Sequence, residues 1–567
     1  MPLVGCRRAV VGAVLAVCLL VARPVAGCVR EACTITCNAS AQQPCCLGVG
    51  TCEWDPIFVD YRCIPPPPLI CGEEPGRTPP VALAATAVAV PSQQQLAWQD
   101  LEIAAMIGFN LQTICAPTNG PYSVTSQRCQ ASSKTMGPLY VPTIDVVKEW
   151  GLDALDTDAW VATAASFGAK YIVLVADHMT GFTLWDTKFH NFSVANTRYK
   201  GGGGDVVKDL IESCKKANMG LGFFYSVHFN WFLGVDGFKV GHPPLGPRSY
   251  TQEEYLEIAK GQLKEVISLF GDAGPVEVWF DGGTGPNAAD VGPIVRASAP
   301  LAVCHSCNPN FTRAGPVRWM GNEGGQMPMP SWGAGASFGG DPQAPFFGPP
   351  SCDTVLREHY WFYQNATEQS TKSLKELVLT YFTSVGRAAN LILNIAPDFS
   401  GAVPTPDVVR YAEMGAAIKC LFNRTVAKSS APMKMDPATG ILPGIEFPVM
   451  PASATQNLSV VVREDQTSGQ LIANFSLECK STAAGPWVGC PPGSLSGAIP
   501  FCHAAGSSSA CMYVGMGHKR VLVLGTLPNG LAGIRIVVHS HFATGDQIPT
   551  VRDLEMFDWS GPTESCV

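Results

Sequence analysis

Residues 276–283, VEVWFDGG, place an acid where a strand should end. Val276, Val278, Trp279 and Phe280, interrupted only by Glu277, run straight into Asp281 and then two glycines. Val, Trp and Phe at this density favour a strand, and the glycine pair stops it. In barrels of alternating strands and helices, the C-terminal mouth of the strands is where reactive groups gather, so a carboxylate there is available for chemistry. A helix N-cap or a turn Asp is the competing reading of these eight residues alone. The other informative polar clusters fall at the same kind of place: Asp177-His178 follow YIVLVA, and Ser226 to Asn230 follow LGFFY.

The elements that must position them recur in series. DTDAWVATAASFGAKYIVLVADH reads as a capping Asp, a helix with small residues on one face, and then a buried strand. Helix DVVKDLIESCKKANMG precedes LGFFYS, and helix QEEYLEIAKGQLKEVISLFG precedes VEVWFDGG. Earlier, WQDLEIAAMIGFNLQT starts as a helical turn and ends in a short apolar strand. Later, helix TKSLKELVLTYFTSVGRAA leads to NLILNIAPDFSG, read as the final strand, and PDVVRYAEMGAAIKCLF closes the region near residue 425. Helix-then-parallel-strand units in series predict an α/β fold, a TIM-like (β/α) barrel over residues 93–425. Residues 440–567 switch to period-2 alternation (LSVVVRE, LIANFSLE, KRVLVLG, GIRIVVHS), which predicts a C-terminal β-sandwich.

Length supports this division, since 567 residues exceed one ordinary domain. Hydrophobic content of 46% with 15% charged residues is enough for a large core and argues against general disorder. A net charge of -8 without a long basic run speaks against nucleic acid as a partner. Residues 1–27 read as a secretory signal peptide: Arg7 and Arg8, an apolar run from Ala9 to Ala22, and small residues at Val25-Ala26-Gly27. That run is short for a membrane span, and none is expected after the signal is removed. The expected location is secreted, or vacuolar or lysosomal by the same route. Of 22 cysteines, Cys6 and Cys18 leave with the signal, an even number remaining in an oxidising compartment. Sequons begin at Asn38, Asn191, Asn310, Asn365, Asn423, Asn457 and Asn474.

Residues 28–71 hold Cys28, Cys33, Cys37, Cys45, Cys46, Cys52, Cys63 and Cys71. So cysteine-dense a segment predicts a small disulfide-held module whose pairing the sequence does not choose. The CxxC pairs of a zinc site are missing from it, and no metal is assigned. Residues 72–92 turn to proline and alanine and read as a linker.

Five segments in order, GAKYIVLVADHMTGFTLW, GFFYSVHFNWF, VEVWFDGG, VRWMGNEGG and SVGRAANLILNIAPDFSG, resemble glycoside hydrolase family 29, the α-L-fucosidases. The resemblance covers about residues 93–425. It implies a TIM-like barrel and a retaining glycosidase acting on a fucosylated glycan or glycoconjugate, with no metal or organic cofactor. By the same resemblance Asp281 matches the nucleophile. Glu323 matches the acid/base of the branch acting on 1,3- and 1,4-linked fucose, with Asp353 and Glu358 as rivals. A retaining enzyme needs an ionised carboxylate against the ring and a protonated one about 5 to 5.5 Å away. The second must have its pKa raised by burial or by the first charge. Glu102 and Glu277 read as structural.

A fucosyl ring offers hydroxyls that need directional partners and a methyl edge that needs apolar contact. The candidates for holding it are His178, Trp185, Tyr225, His228, Trp319 and Trp361. Four positions depart from the family pattern. Gly108 stands where a His is usual, Met179 where a second consecutive His is usual, Asp177 often as Lys, and Ser351 often as Glu. Losing two hydroxyl partners weakens sugar binding by about 1–3 kcal/mol each if both places stay dry. Hence three alternatives stand beside the fucosidase reading: a catalytically weak or inactive sugar-binding homologue, a retaining α-glycosidase for another sugar, and an adhesive protein organised by residues 28–71.

Overall fold

The computed structural model describes residues 51–55, 60–64, 80–83, 87–115, 129–131, 140–142, 144–320, 322–357, 361–363, 371–454, 458–493, 503–504 and 511–559. The signal segment, most of the cysteine-rich stretch and Glu358 lie outside them. Contacts divide the chain into residues 1–77 and 78–567. In the first unit a two-stranded antiparallel hairpin pairs Thr51–Asp55 with Asp60–Ile64, Cys52 opposite Cys63.

The second unit is built on a closed barrel of eight parallel strands. They are β1 (Ile103–Ile107), β2 (Tyr171–Asp177), β3 (Gly220–Tyr225), β4 (Glu277–Trp279), β5 (Val303–His305), β6 (Pro316–Trp319), β7 (Pro350–Thr354) and β8 (Asn390–Ile395). They join in chain order, and β8 closes on β1, Leu393 opposite Ala105. Because both faces are covered, strands such as YIVLVAD are buried throughout. Alternate residues divide between two packings. Tyr171, Val173 and Val175 fill the barrel with Trp98, Phe224 and Trp279. Ile172 and Leu174 face the helices. Each large side chain buried this way contributes roughly 1.5–3 kcal/mol.

The helices begin where their caps dictate. Asp156 accepts from Asp158 N and Ala159 N at the start of Thr157–Ser166. Asp205 accepts from Lys208 N ahead of Val206–Ala217. Thr251 with Glu254, and Ser373 with Glu376, close capping boxes on Gln252–Leu269 and Leu374–Thr383.

Two sheets form the C-terminal module. One carries Leu458–Glu464, Arg520–Val523 and Thr550–Asp558; the other carries Ile472–Lys480 and Leu531–His541. Thr425–Lys428 and Met433–Lys434, ahead of residue 440, add to the first. Val81–Ala82, inside the stretch read as linker, pairs with Ser540–His541 of the second. Glu102 ties the barrel to this module: Lys519 Nζ lies 2.7 Å from both its oxygens.

Cys304–Cys307 and Cys479–Cys490 are bridged, whereas Cys214 and Cys352 are buried free thiols. Among the sequons, Asn191, Asn310 and Asn423 are exposed. Asn474 is half-buried in a strand and donates Nδ2 to Ser540 Oγ at 2.7 Å. No helix among the described residues is long and apolar enough to cross a membrane.

Candidate active site

Strand β4 ends at Trp279, and Asp281 follows two residues later in a tight turn closed by Gly283 N to Phe280 O at 3.0 Å. Gly282 has φ 67°, a conformation a side chain resists at the third position of such a turn. A Cβ there would also lie 2.3 Å from His228 Nδ1. His228 is held in turn between Phe229 and Phe238, with ring centroids at 4.0 and 4.2 Å. The turn that presents Asp281 is thus braced from behind by an aromatic stack.

Asp281 is exposed to solvent yet hemmed in by protein, as a carboxylate at the bottom of a cleft is. Loss of solvation raises its pKa, the Glu323 charge adds to this, and the Gly282 N–H opposes it. Glu323 lies on an exposed loop after β6. That loop is stitched to β7: Gly324 bridges Thr354, and Gly325 N donates to Asp353 O at 3.0 Å. Asp353 is itself buried and accepts from Trp319 Nε1 at 2.7 Å. Burial pushes its pKa up to about 8, the Trp319 bond opposing and the Glu323 and Asp281 charges adding. Three carboxyls from β4, the β6 loop and β7 therefore sense one another at the mouth. Near neutrality at least one keeps a proton.

The candidate sugar contacts divide. His178, Trp319 and Trp361 are half-buried at the mouth. His178 Nδ1 lies 2.6 Å from Gln112 Nε2. An amide nitrogen only donates, so Nδ1 accepts and the imidazole proton sits on Nε2. Burial holds this ring neutral, its pKa down at about 3. Phe224 and Phe362 flank it at 5.5 and 4.9 Å.

Trp185 and Tyr225 fall elsewhere, which corrects their expected role. Both are buried on the helix side, Trp185 Nε1 donating to Glu265 and Tyr225 OH to Gln262. Strand alternation explains Tyr225: Phe224 faces inward, so its neighbour faces out. His228 braces the Asp281 turn. Glu358 lies outside the described residues.

Two aromatic groups escaped the sequence reading. Trp279, the last residue of β4 and two residues before Asp281, stacks on His305 of β5 with centroids at 3.3 Å and planes 8° apart. The period of two was the available signal for Trp279; nothing local marked His305. Among the described residues no group of three or more His, Cys, Asp or Glu could hold a metal ion.

The departures acquire physical reasons. A Cβ on Gly108 would stand 2.0 Å from Trp361 O and 2.7 Å from Asn394 Oδ1. Asn394 Nδ2 donates to that same carbonyl at 2.8 Å. The place a His side chain would take is filled by the chain itself. Asp177 is fully buried with neither carboxylate oxygen hydrogen-bonded, and burial raises its pKa well above the usual range.

A family model described as alpha-L-fucosidase matches residues 140–420. "Alpha-L-fucosidase 1" of Arabidopsis thaliana is 26% identical over 439 residues, 70% of this chain and 78% of that protein. "Alpha-L-fucosidase" of Dictyostelium discoideum is 26% identical over 284 residues, 48% of this chain and 56% of that protein. The crystal structure of a glycoside hydrolase 29 family member from an unknown rumen bacterium shares the fold. Its TM-score is 0.63 at 21% identity, covering 84% of this chain and 78% of that one. With barrel, acid-bearing turn and sequence matches in agreement, the chain belongs to the α-L-fucosidase family, glycoside hydrolase family 29.

Proposed function

We propose that the chain hydrolyses α-L-fucosides of glycans or glycoconjugates with retention of configuration, and that it prefers 1,3- and 1,4-linked fucose. The observation that carries this reading is the meeting of Asp281 with Glu323 and Asp353 at the barrel mouth, each within the others' electrostatic reach. Asp281 attacks the anomeric carbon as Glu323 gives a proton to the leaving oxygen. Glu323 then takes a proton from the water that releases the sugar. His178, Trp319 and Trp361 hold the ring from the sides. The protein reaches this substrate by export, as its N-terminal residues suggest.

A second assignment of the acid has an observation in its favour. Asp353 is buried and still protonated near neutrality, whereas Glu323 stands on an exposed loop. The test is turnover of an aryl α-L-fucoside and of 1,3- and 1,4-fucosylated oligosaccharides, with the anomer of the released sugar read by NMR. Retention supports double displacement and inversion rejects it. No turnover of any fucoside, with binding intact, leaves the sugar-binding homologue.

A further inference from the structure

Residues 361–363 touch the ends of three barrel strands through two buried polar tethers that the sugar chemistry does not use. The first tether is Asn394, near the end of β8 and 2% exposed. Its Nδ2 donates to Trp361 O at 2.8 Å. Gly108, the residue after β1, leaves the room for that carbonyl, since a Cβ there would stand 2.0 Å from it. The second tether is Arg357, which forks Nε and Nη2 onto Asp407 at 2.9 and 2.7 Å, both side chains buried. Its guanidinium carbon also lies 5.1 Å from the ring centre of Tyr363. Between the tethers, the Phe362 ring meets His178, just beyond β2, edge-on at 4.9 Å.

A buried carbonyl without a partner costs as much as a lost hydrogen bond, and a two-point ion pair fixes angle as well as distance. The segment is thereby held in one seat. The Trp361 carbonyl shares a rigid peptide plane with the Phe362 nitrogen, so whatever moves that carbonyl moves Phe362 with it. His178 feels the result directly. Gln112 holds its Nδ1, and Phe224 and Phe362 pack about its ring.

We infer that Asn394 is a positioning residue for the sugar pocket: through the Trp361 carbonyl it sets where the Trp361 indole and the Phe362 ring stand, while Arg357 holds the far end of the same segment. The inference rests on the sugar-site reading and deepens it by naming what places one wall of that site. The wall occupies the space that a side chain at position 108 would take.

The test is steady-state kinetics of the full chain on an aryl α-L-fucoside, with Asn394→Leu, Gly108→Ala and Trp361→Ala. Asn394→Leu removes the donor at similar size, and Gly108→Ala pushes the same carbonyl from the other side. A wall that holds the sugar alike in ground and transition states acts on KM and spares kcat. Asn394→Leu and Gly108→Ala should each raise KM by about 3–10-fold, the worth of one hydrogen bond, with the larger part of the loss in KM rather than kcat. Asn394→Leu added to Trp361→Ala should raise KM by less than the product of the two single effects. A merely structural Asn394 would lower kcat with the amount of folded enzyme and leave KM alone. That result, or fully multiplying effects in the double variant, overturns the positioning role. Should Asn394→Leu not fold, Gly108→Ala decides alone, and an unchanged KM there rejects the inference. Where the wild type turns over no fucoside, the hydrolase reading fails by itself, and the same variants are compared by their Kd for fucose.

Discussion

Two acids four residues apart, Glu277 at the start of β4 and Asp281 in the turn after it, meet opposite fates. Glu277 begins β4 at the floor of the barrel. It is fully buried, accepts from Trp98 Nε1 at 3.0 Å, adjoins the Tyr171 phenol, and has its pKa raised to about 7 by burial. Asp281 lies beyond the strand at the mouth, open to solvent and facing two further carboxyls. Burial raises both, so a raised pKa alone does not mark a reactive group. Access and a second acid do. At the floor an acid ends as an internal hydrogen-bond partner; at the mouth its charge remains available to a substrate.

The largest expected effect breaks the mouth. Asp281→Ala should lose on the order of 10⁴ or more in kcat on an aryl α-L-fucoside, as enzymes do without their nucleophile. Activity near wild type would refute its role. Next, Glu323→Ala should slow release of poor leaving groups by roughly 10²–10⁴, with azide restoring much of the rate on activated substrates. If Asp353→Asn shows that pattern and Glu323→Ala does not, the acid is Asp353.

Gly108→His tests whether the filled wall is real. It should cost about 1–3 kcal/mol in urea unfolding through overpacking against Trp361 O, and should not improve affinity for fucose. Tighter binding would show that the wall yields. Asp177 supplies a pH test. Its folded pKa is raised, so the unfolded chain loses this proton first, and stability falls as pH climbs from about 4 until the folded carboxyl ionises. Asp177→Asn should flatten that fall of stability with rising pH; parallel slopes for variant and wild type would remove Asp177 as its source. The smallest effect belongs to the floor. Glu277→Gln should leave kcat within about 2-fold, on the expectation that surface or scaffold changes away from reacting atoms act on stability. A large loss would erase the distinction between the two ends of β4.

Much of this was legible in the chain. YIVLVAD, LGFFYS and NLILNIAP are long buried runs, so hydrophobic pattern alone placed β2, β3 and β8. Asp281 was legible because the glycine pair demands a turn immediately after it. What a single strand cannot disclose is which of two neighbouring aromatics faces in: Tyr225 and Phe224 look alike in sequence, and only the register across the barrel sends one to the helices. The same limit applied to Asp353, whose burial depends on Trp319 arriving from the preceding strand.

The sequence by itself determined the alternation of helices and strands, the strand-end position of the acid, and the family, because these depend on local patterning and nearest-neighbour residues. Tertiary structure decided which carboxyls meet, and that Gly108 is filled by the Trp361 carbonyl. It also decided that the backbones of Arg520 and Arg387 meet where the sandwich packs on the barrel. Those residues are 30 to 286 positions apart in the chain, and only the closure of the barrel and its packing on the sandwich bring them within reach of one another.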